Sequence, residues 1–392
     1  MKILLANFTK MVADSGGLAK VTCLFAAAML KRGHTVSLLH SDEAEGKFFY
    51  TPPGGLSCFN LNRRPDGTIV TFPHSMKVQR EFMRLFSKRQ ATTVNSRFME
   101  KYLTDNLRYY LDLIKPDVIV AFQPAANKLL LCDAGTKIPV VSMSHGDPED
   151  YFHNYPIKET ASLTKSAVCQ VLLPSFEAHI KQRLPQVKTV AIGNAVPQYP
   201  FTADLAAVKK QYKIVSVGTL TKNHKRPHLL IQAFGKVAAK YPDWILEIWG
   251  GKDRAAYYKE LELAIRSRNL GGRVFLKGVT NNVPDVLRNA DIFAFPSAYE
   301  GFGLALAEGM SAGLPAVGFR NCTAVNEMIR DGETGFLCAD GSDAFAAALD
   351  KLMADRDLRI AMGRAAKIAV ARYAPDAVWA DWEKLLRQTA RQ

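Results

Sequence analysis

Short apolar runs rich in β-branched residues alternate with longer stretches in which apolar side chains recur three and four residues apart, and this rhythm runs through both halves of the chain. Runs of that kind suit strands of a parallel sheet, and the stretches between them suit helices that cover its faces. The pattern predicts strands over 2–8, 35–41, 117–122, 139–145, 169–175 and 189–192, then over 213–220, 244–250, 274–279, 291–296, 315–319 and 335–338. Helices fit between them, for example over 227–240, 254–269 and 303–312. The expected fold class is α/β, with two doubly wound units in tandem. The rhythm lapses over 193–200, where Gly193, Pro197 and Pro200 interrupt periodicity. The expected division is therefore 1–196, 197–374 and a closing helix over 375–392, whose Trp379, Trp382, Leu385 and Leu386 need a surface to dock on. Residues 42–111 read as irregular loops plus one basic helix.

Composition narrows the class. With 392 residues, 48% hydrophobic and 22% charged, the chain can bury two cores and is neither disordered, collagenous nor disulfide-dense. No apolar run approaches the roughly 20 residues needed to span a bilayer. The opening residues, Met1 to Asn7, go straight into a strand pattern and are read as strand rather than leader. The net charge of +14 is spread over both halves, +8 over 1–197 and +6 over the remainder. One stretch is denser: Lys77, Arg80, Arg84, Lys88, Arg89, Arg97, Lys101 and Arg108 stand against Glu81, Glu100 and Asp105. Phe82, Phe86, Phe98 and Tyr102 recur there at helical spacing, which predicts a basic amphipathic helix. Such a helix can lie on an anionic membrane surface, meet an anionic substrate, or simply present a solvated face. A nucleic-acid partner is not expected, because the excess is diffuse and no nucleic-acid module appears. The six cysteines show no CxxC and no metal-ligand spacing, so free thiols in a reducing cytoplasm and no structural metal are expected.

Ligands of open α/β sheets bind beyond the carboxyl ends of the strands, so candidate chemistry is sought there. The first segment is Asp14-Ser15-Gly16-Gly17-Leu18-Ala19-Lys20, where Gly16 and Gly17 let the backbone approach an anion ahead of a helix; a plain tight turn needs the same residues. The second is Gly218-Thr219-Leu220-Thr221-Lys222-Asn223-His224-Lys225-Arg226-Pro227. It gathers Lys222, Lys225 and Arg226 beside a helix start at Pro227, which suits a diphosphate or a solvated loop. The third, Glu300-Gly301-Phe302-Gly303-Leu304-Ala305-Leu306-Ala307-Glu308-Gly309, turns from a strand into a helix near Gly303. Its free N–H groups at Gly303 and Leu304 can hold phosphate oxygens, while Glu300 and Glu308 can accept bonds from sugar hydroxyls or act as ordinary helix-end carboxylates.

Glu300 and Glu308, with seven residues between them, resemble the E-x7-E signature of the retaining GT-B glycosyltransferases of family four. The segment from Asn326 to Phe336 resembles the next block of that family. Val217-Gly218-Thr219-Leu220 followed by Lys225 resembles its phosphate-binding region, and Ser15-Gly16-Gly17 its glycine loop. These blocks occur in family order along nearly the whole chain.

The resemblance implies a GT-B fold of two Rossmann-like domains, the first for the acceptor and the second for the nucleotide sugar, with the closing helix packed back on the first. It implies Glu308 on the ribose, Lys225 with the N–H groups of Gly303 and Leu304 on the diphosphate, and Glu300 with Gly301 and Phe302 around the donor sugar. Gly278 and Val279 would flank the base, Gly16 and Gly17 would approach the diphosphate, and His145 would stand near the reacting carbon. A buried, satisfied histidine is the plainer reading of His145. Where the family carries arginine, this chain has Thr219, and Lys222 or Arg226 could supply that charge. No DxD pair stands at a plausible strand end, so transfer is expected without a metal, with retention at the anomeric carbon. The implied reaction moves a hexosyl or N-acetylhexosaminyl group from a nucleotide sugar, UDP-linked in most such enzymes, to a saccharide. A lipid-linked saccharide at the inner face of the cell membrane, in envelope glycan synthesis, fits the basic stretch. The nucleotide sugar is a substrate, and no cofactor is expected. Three other readings stay open: a nucleotide-sugar 2-epimerase, an inverting transferase with Asp147 as base, and a sugar-binding module without turnover.

Overall fold

The architecture is that of a computed structural model, which describes residues 1–14 and 16–391; Ser15 of the glycine loop and Gln392 at the end of the closing segment lie outside the described residues. The chain divides into two compact units, Met1–Gly193 with Trp379–Gln392, and Asn194–Val378. The division falls after Gly193 rather than after Val196.

Unit 1 is built on strands β1 (Lys2–Asn7), β2 (Thr35–His40), β3 (Ser57–Asn60), β4 (Val118–Ala121), β5 (Val140–Met143), β6 (Val168–Val171) and β7 (Thr189–Ala191). They form one parallel sheet in the order β3-β2-β1-β4-β5-β6-β7. Unit 2 carries β8 (Tyr212–Val217), β9 (Trp244–Trp249), β10 (Val274–Gly278), β11 (Ile292–Phe295), β12 (Ala316–Phe319) and β13 (Gly335–Cys338), again all parallel, in the order β10-β9-β8-β11-β12-β13. In both sheets the order reverses beside the first strand, which opens a crevice at the carboxyl ends. The two sheets match the expected doubly wound α/β class.

Most expected strands stop earlier at the carboxyl end, for identifiable reasons. Pro174 opens a helix (Pro174–Arg183) and ends β6, and Gly218 turns β8 away with φ of 156°. β3 escapes the apolar pattern because it is an edge strand: Ser57 and Cys58 are exposed and Phe59 and Asn60 half-buried.

The expected single basic helix is corrected to three, His74–Arg84, Lys88–Tyr102 and Thr104–Ile114. The chain breaks at Leu85–Ser87, where the Ser87 hydroxyl accepts the Gln90 N–H and caps the second helix. Phe98 therefore turns into the core against Phe72, with ring centroids 4.5 Å apart, and Tyr102 packs beside it, while Phe82 and Phe86 point outward. The helical spacing runs across the break, but the two halves do not share a face.

The closing helix, Pro375–Thr389, brings two tryptophans to unit 1. Trp382 meets Phe25 edge-on at 4.9 Å and Trp379 meets it at 5.6 Å. Glu383 adds ion pairs to His34 at 3.1 Å and Arg32 at 3.5 Å. Because Trp382 is fully buried, Trp382→Ala should cost about 3–5 kcal/mol of stability through transfer and cavity terms, read as a lower urea midpoint. A loss under about 1 kcal/mol would mean that the helix end is replaceable there.

Candidate active site

In unit 2 the site is assembled by backbone closeness at the strand ends. Gly218 and Gly250 both adopt positive φ, and the Gly218 N–H donates to Trp249 O at 2.9 Å while the Gly250 N–H donates to Gly278 O at 2.8 Å. A side chain on Gly250 would collide with the Gly218 carbonyl. The loop after β8 then coils on itself: the Lys225 N–H donates to the Thr221 hydroxyl at 2.9 Å and the Arg226 N–H to Thr221 O at 3.0 Å. It is stitched to the loop after β11, where the Ala298 N–H donates to His224 O at 2.8 Å.

The three cations of this loop separate into distinct roles. Lys225 pairs directly with Glu300 and lies over the Phe295 ring at 4.9 Å. Arg226 donates to Pro296 O at 3.1 Å, to Ser297 O at 3.3 Å and to both oxygens of Asp340 at 2.9 and 3.0 Å. It thereby ties together the loops that follow β8, β11 and β13. Lys222 is exposed, pairs with Glu260 at 2.7 Å and lies 5.8 Å from the Tyr257 ring centroid. Only Lys225 of the three meets Glu300, and Thr219 lies in the open loop, its carbonyl accepting the Thr221 N–H.

Glu300 is nearly buried. Burial raises its carboxyl pKa, but the facing His224 Nε2 at 3.5 Å and the Lys225 ammonium outweigh it and hold Glu300 below the usual carboxylate range. His224 is itself stacked flat on Tyr299, with centroids 4.3 Å apart and planes 4° apart. Gly303 takes the left-handed conformation (φ 79°) and opens the helix Leu304–Ser311 with no side-chain cap, leaving the first N–H groups for a ligand. Glu308 is half-buried on that helix, and burial together with its charge pushes the Tyr199 phenol pKa up. Phe302 is buried edge-on against Tyr373 at 4.9 Å and so serves packing, while Gly301 is half-buried and Val279 stands exposed after β10.

The unit 1 residues form a second cluster. Gly16 caps the helix Gly17–Lys31 from an extended conformation, its N–H donating to Asp14 Oδ1 at 2.9 Å. A side chain on Gly17 would meet nothing within 4 Å, so its lack of one answers no packing need within the protein. Asp42 steadies the preceding loop, accepting the Met11 N–H at 3.0 Å and the Val12 N–H at 3.1 Å, and lies 2.7 Å from His40 Nδ1. His145 follows β5. Its backbone N–H donates to Tyr151 Oη at 3.0 Å, its ring stacks on Phe122 at 5.3 Å, and its Nε2 has no partner among the described residues. Burial pushes the imidazole down to about 3, so it is neutral at pH 7. The ring borders a cavity of about 270 Å³ with Lys88, Gln123, Asp150 and Tyr155. Asp147 caps the helix Pro148–Asn154, its Oδ1 accepting the Glu149 N–H and lying 2.6 Å from His179 Nδ1.

Sequence reasoning missed His224, Tyr299 and Asp340. The first two stand inside or beside segments already singled out for their charges, where an imidazole next to a lysine was the available signal. Asp340 had none, being joined to Arg226 across 114 residues.

Residues 200–369 match the family described as glycosyl transferases group 1. This segment is similar to the group 1 glycosyltransferases. Over 387 residues the chain is 22% identical to an uncharacterized glycosyltransferase of Haemophilus influenzae, covering 97% of this chain and 98% of that one. It is 33% identical over 172 residues to a D-inositol 3-phosphate glycosyltransferase of Corynebacterium urealyticum, covering 42% of this chain and 38% of that one. The chain likewise spans less than half the length of relatives named for exopolysaccharide, poly(glycerol-phosphate) and lipopolysaccharide core chemistry. In fold it is similar to sucrose-phosphate synthase from Thermosynechococcus elongatus (18% identity, 99% and 98% coverage, TM-score 0.77) and to Anabaena HepE in complex with UDP and glucose (18%, 99% and 99%, 0.72). These are GT-B glycosyltransferase structures, and the two parallel sheets of this chain are of that kind.

The depressed His145 gives stability a defined pH dependence. Between about 6.5 and about 3 the unfolded chain binds a proton at this residue that the folded chain does not, so stability falls as pH drops through that window. The urea midpoint at pH 5 should lie below that at pH 7, and His145→Gln should shrink the difference. An unchanged difference would mean that the ring is solvated.

Proposed function

We propose that this protein is a retaining, metal-independent glycosyltransferase that moves a hexosyl or N-acetylhexosaminyl group from a UDP-sugar to a saccharide acceptor of the cell envelope. The observation that carries the reading is the Lys225–Glu300 pair, set at converging strand ends beside the uncapped helix start at Gly303. Breaking the bond between an anomeric carbon and a diphosphate builds negative charge on the leaving oxygen. Lys225 and the N–H groups at Gly303 and Leu304 are fixed donors for that charge, and they need no reorganisation as it develops. The Glu300 carboxylate orients the ammonium and keeps lone pairs for hydroxyls of the transferred sugar.

Glu308 is assigned to the ribose and Val279 to the base, both from the resemblance. Lys222 and Arg226 are set aside as phosphate ligands because their partners are Glu260 and Asp340. Same-face attack, with the departing phosphate taking the acceptor proton, is the mechanism proposed. His145, neutral with an unpartnered Nε2, suits a hydrogen bond to a sugar hydroxyl. UDP is chosen because HepE, a neighbour in fold, was solved with UDP and glucose. The saccharide acceptor follows the exopolysaccharide and lipopolysaccharide core chemistry in two relatives' names.

The decisive experiment incubates the protein with UDP-, GDP- and ADP-sugars and saccharide acceptors, with and without chelator, and follows free nucleoside diphosphate. Acceptor-dependent release from a UDP-sugar that survives chelator is expected; release without any acceptor product, or none at all, sinks the reading. Glu300→Ala should lower turnover about a hundredfold or more, the scale of losing one preorganised transition-state stabiliser. Lys225→Ala should weaken UDP binding at least about tenfold in titration calorimetry, the lower range for a lost charged hydrogen bond. Equal affinity would move the diphosphate elsewhere.

A further inference from the structure

The helix His74–Arg84 is amphipathic in the reverse of the usual sense. Met76 and Met83 pack on the unit 1 core, and the Arg80 guanidinium lies over the Phe72 ring at 5.0 Å. Yet Val78, Phe82, Leu85 and Phe86, spaced four, three and one apart along one stripe, are 57, 57, 80 and 69% exposed. Phe82 and Phe86 touch edge-on at 5.1 Å, so the stripe is a single apolar ridge, capped by the turn at Leu85–Ser87. Four large apolar side chains facing water on one short element need an explanation beyond the scatter found on any surface.

The charges beside the ridge indicate what covers it. Residues 74–89 hold five cations, Lys77, Arg80, Arg84, Lys88 and Arg89, against the single anion Glu81. A second copy of the chain is disfavoured, because a two-fold contact would set the same cations against one another. A surface with an apolar interior and an anionic skin satisfies both features. The position along the chain adds a further reason: Lys88, which opens the helix just after the ridge, also borders the cavity beside His145, and Arg89 donates to the Phe152 carbonyl in the helix Pro148–Asn154 next to it.

We propose that Val78, Phe82, Leu85 and Phe86 insert into the headgroup boundary of a bilayer carrying anionic lipids, with Lys77 and Arg84 against the headgroups. The eleven-residue helix lies along the surface rather than crossing it, and among the described residues no helix is long and apolar enough to cross a membrane. The ridge then holds the His145 cavity close to the plane where a lipid-linked saccharide presents its sugar.

The test is flotation of the whole protein with vesicles of phosphatidylcholine alone and of phosphatidylcholine with phosphatidylglycerol, with no nucleotide sugar present, so that its failure leaves the transfer reading standing. The protein should float with the anionic vesicles, far less with the neutral ones, and less at high salt. Phe82→Ser/Leu85→Ser/Phe86→Ser should lose about tenfold or more in vesicle partition through the apolar area withdrawn, with the near-ultraviolet dichroism of the parent as evidence of folding. Lys77→Gln/Arg84→Gln should lose preference for the anionic vesicles while keeping the same dichroism. A parent that stays with the soluble fraction, or a triple-serine variant that floats like the parent, overturns the proposal. So does light scattering that finds a dimer in the parent and a monomer in the triple-serine variant, since the ridge would then be a self-interface.

Discussion

A carboxylate as enclosed as Glu300 cannot remain ionised without a cation against it. Its partner, Lys225, comes from a loop 75 residues earlier, so neutralising one side chain draws together the ends of β8 and β11. Arg226, the next residue, extends the same tie to the loop after β13 through Asp340. The close passage of Gly218 by Gly250 adds β9 without any side chain at all. Four strand ends are thus registered to one another by two adjacent cations and two glycines. The helix start at Gly303 is placed by the same registration, because it stands three residues beyond Glu300.

The alternation of apolar runs and helical stretches was a good guide wherever a strand lies inside its sheet, since burial on both faces demands continuous apolar character. Each strand predicted from such a run is present, Gly335–Cys338 with the same bounds. The pattern failed where a backbone is ordered by something other than its own burial. β3 pairs with β2 at the edge of the sheet, and its Ser-Cys-Phe-Asn sequence carries little apolar signal. The break at Leu85–Ser87 is set by one serine cap, which a spacing rule based on phenylalanines passes over.

At the site, the acidic and basic residues were legible as types but not as partners. Three cations within five residues looked interchangeable in the sequence; folding gives them three different acids, Glu300, Asp340 and Glu260, and so three different duties. Their separation depends on the left-handed turn at Arg226 (φ 46°), which sends successive side chains in different directions. His145 shows the converse: its place after a strand was readable, and its neutrality was not, because that stems from the Phe122 ring and the enclosure around it.

The glycines at 218 and 250 restrict how this domain can diversify. Gly218 holds a backbone angle that side chains rarely adopt, and a side chain on Gly250 would collide with the Gly218 carbonyl. Tyr299 and Val279, by contrast, project outward from the same rim with no such backbone duty. Those two side chains can therefore change while the backbone beneath them stays as it is.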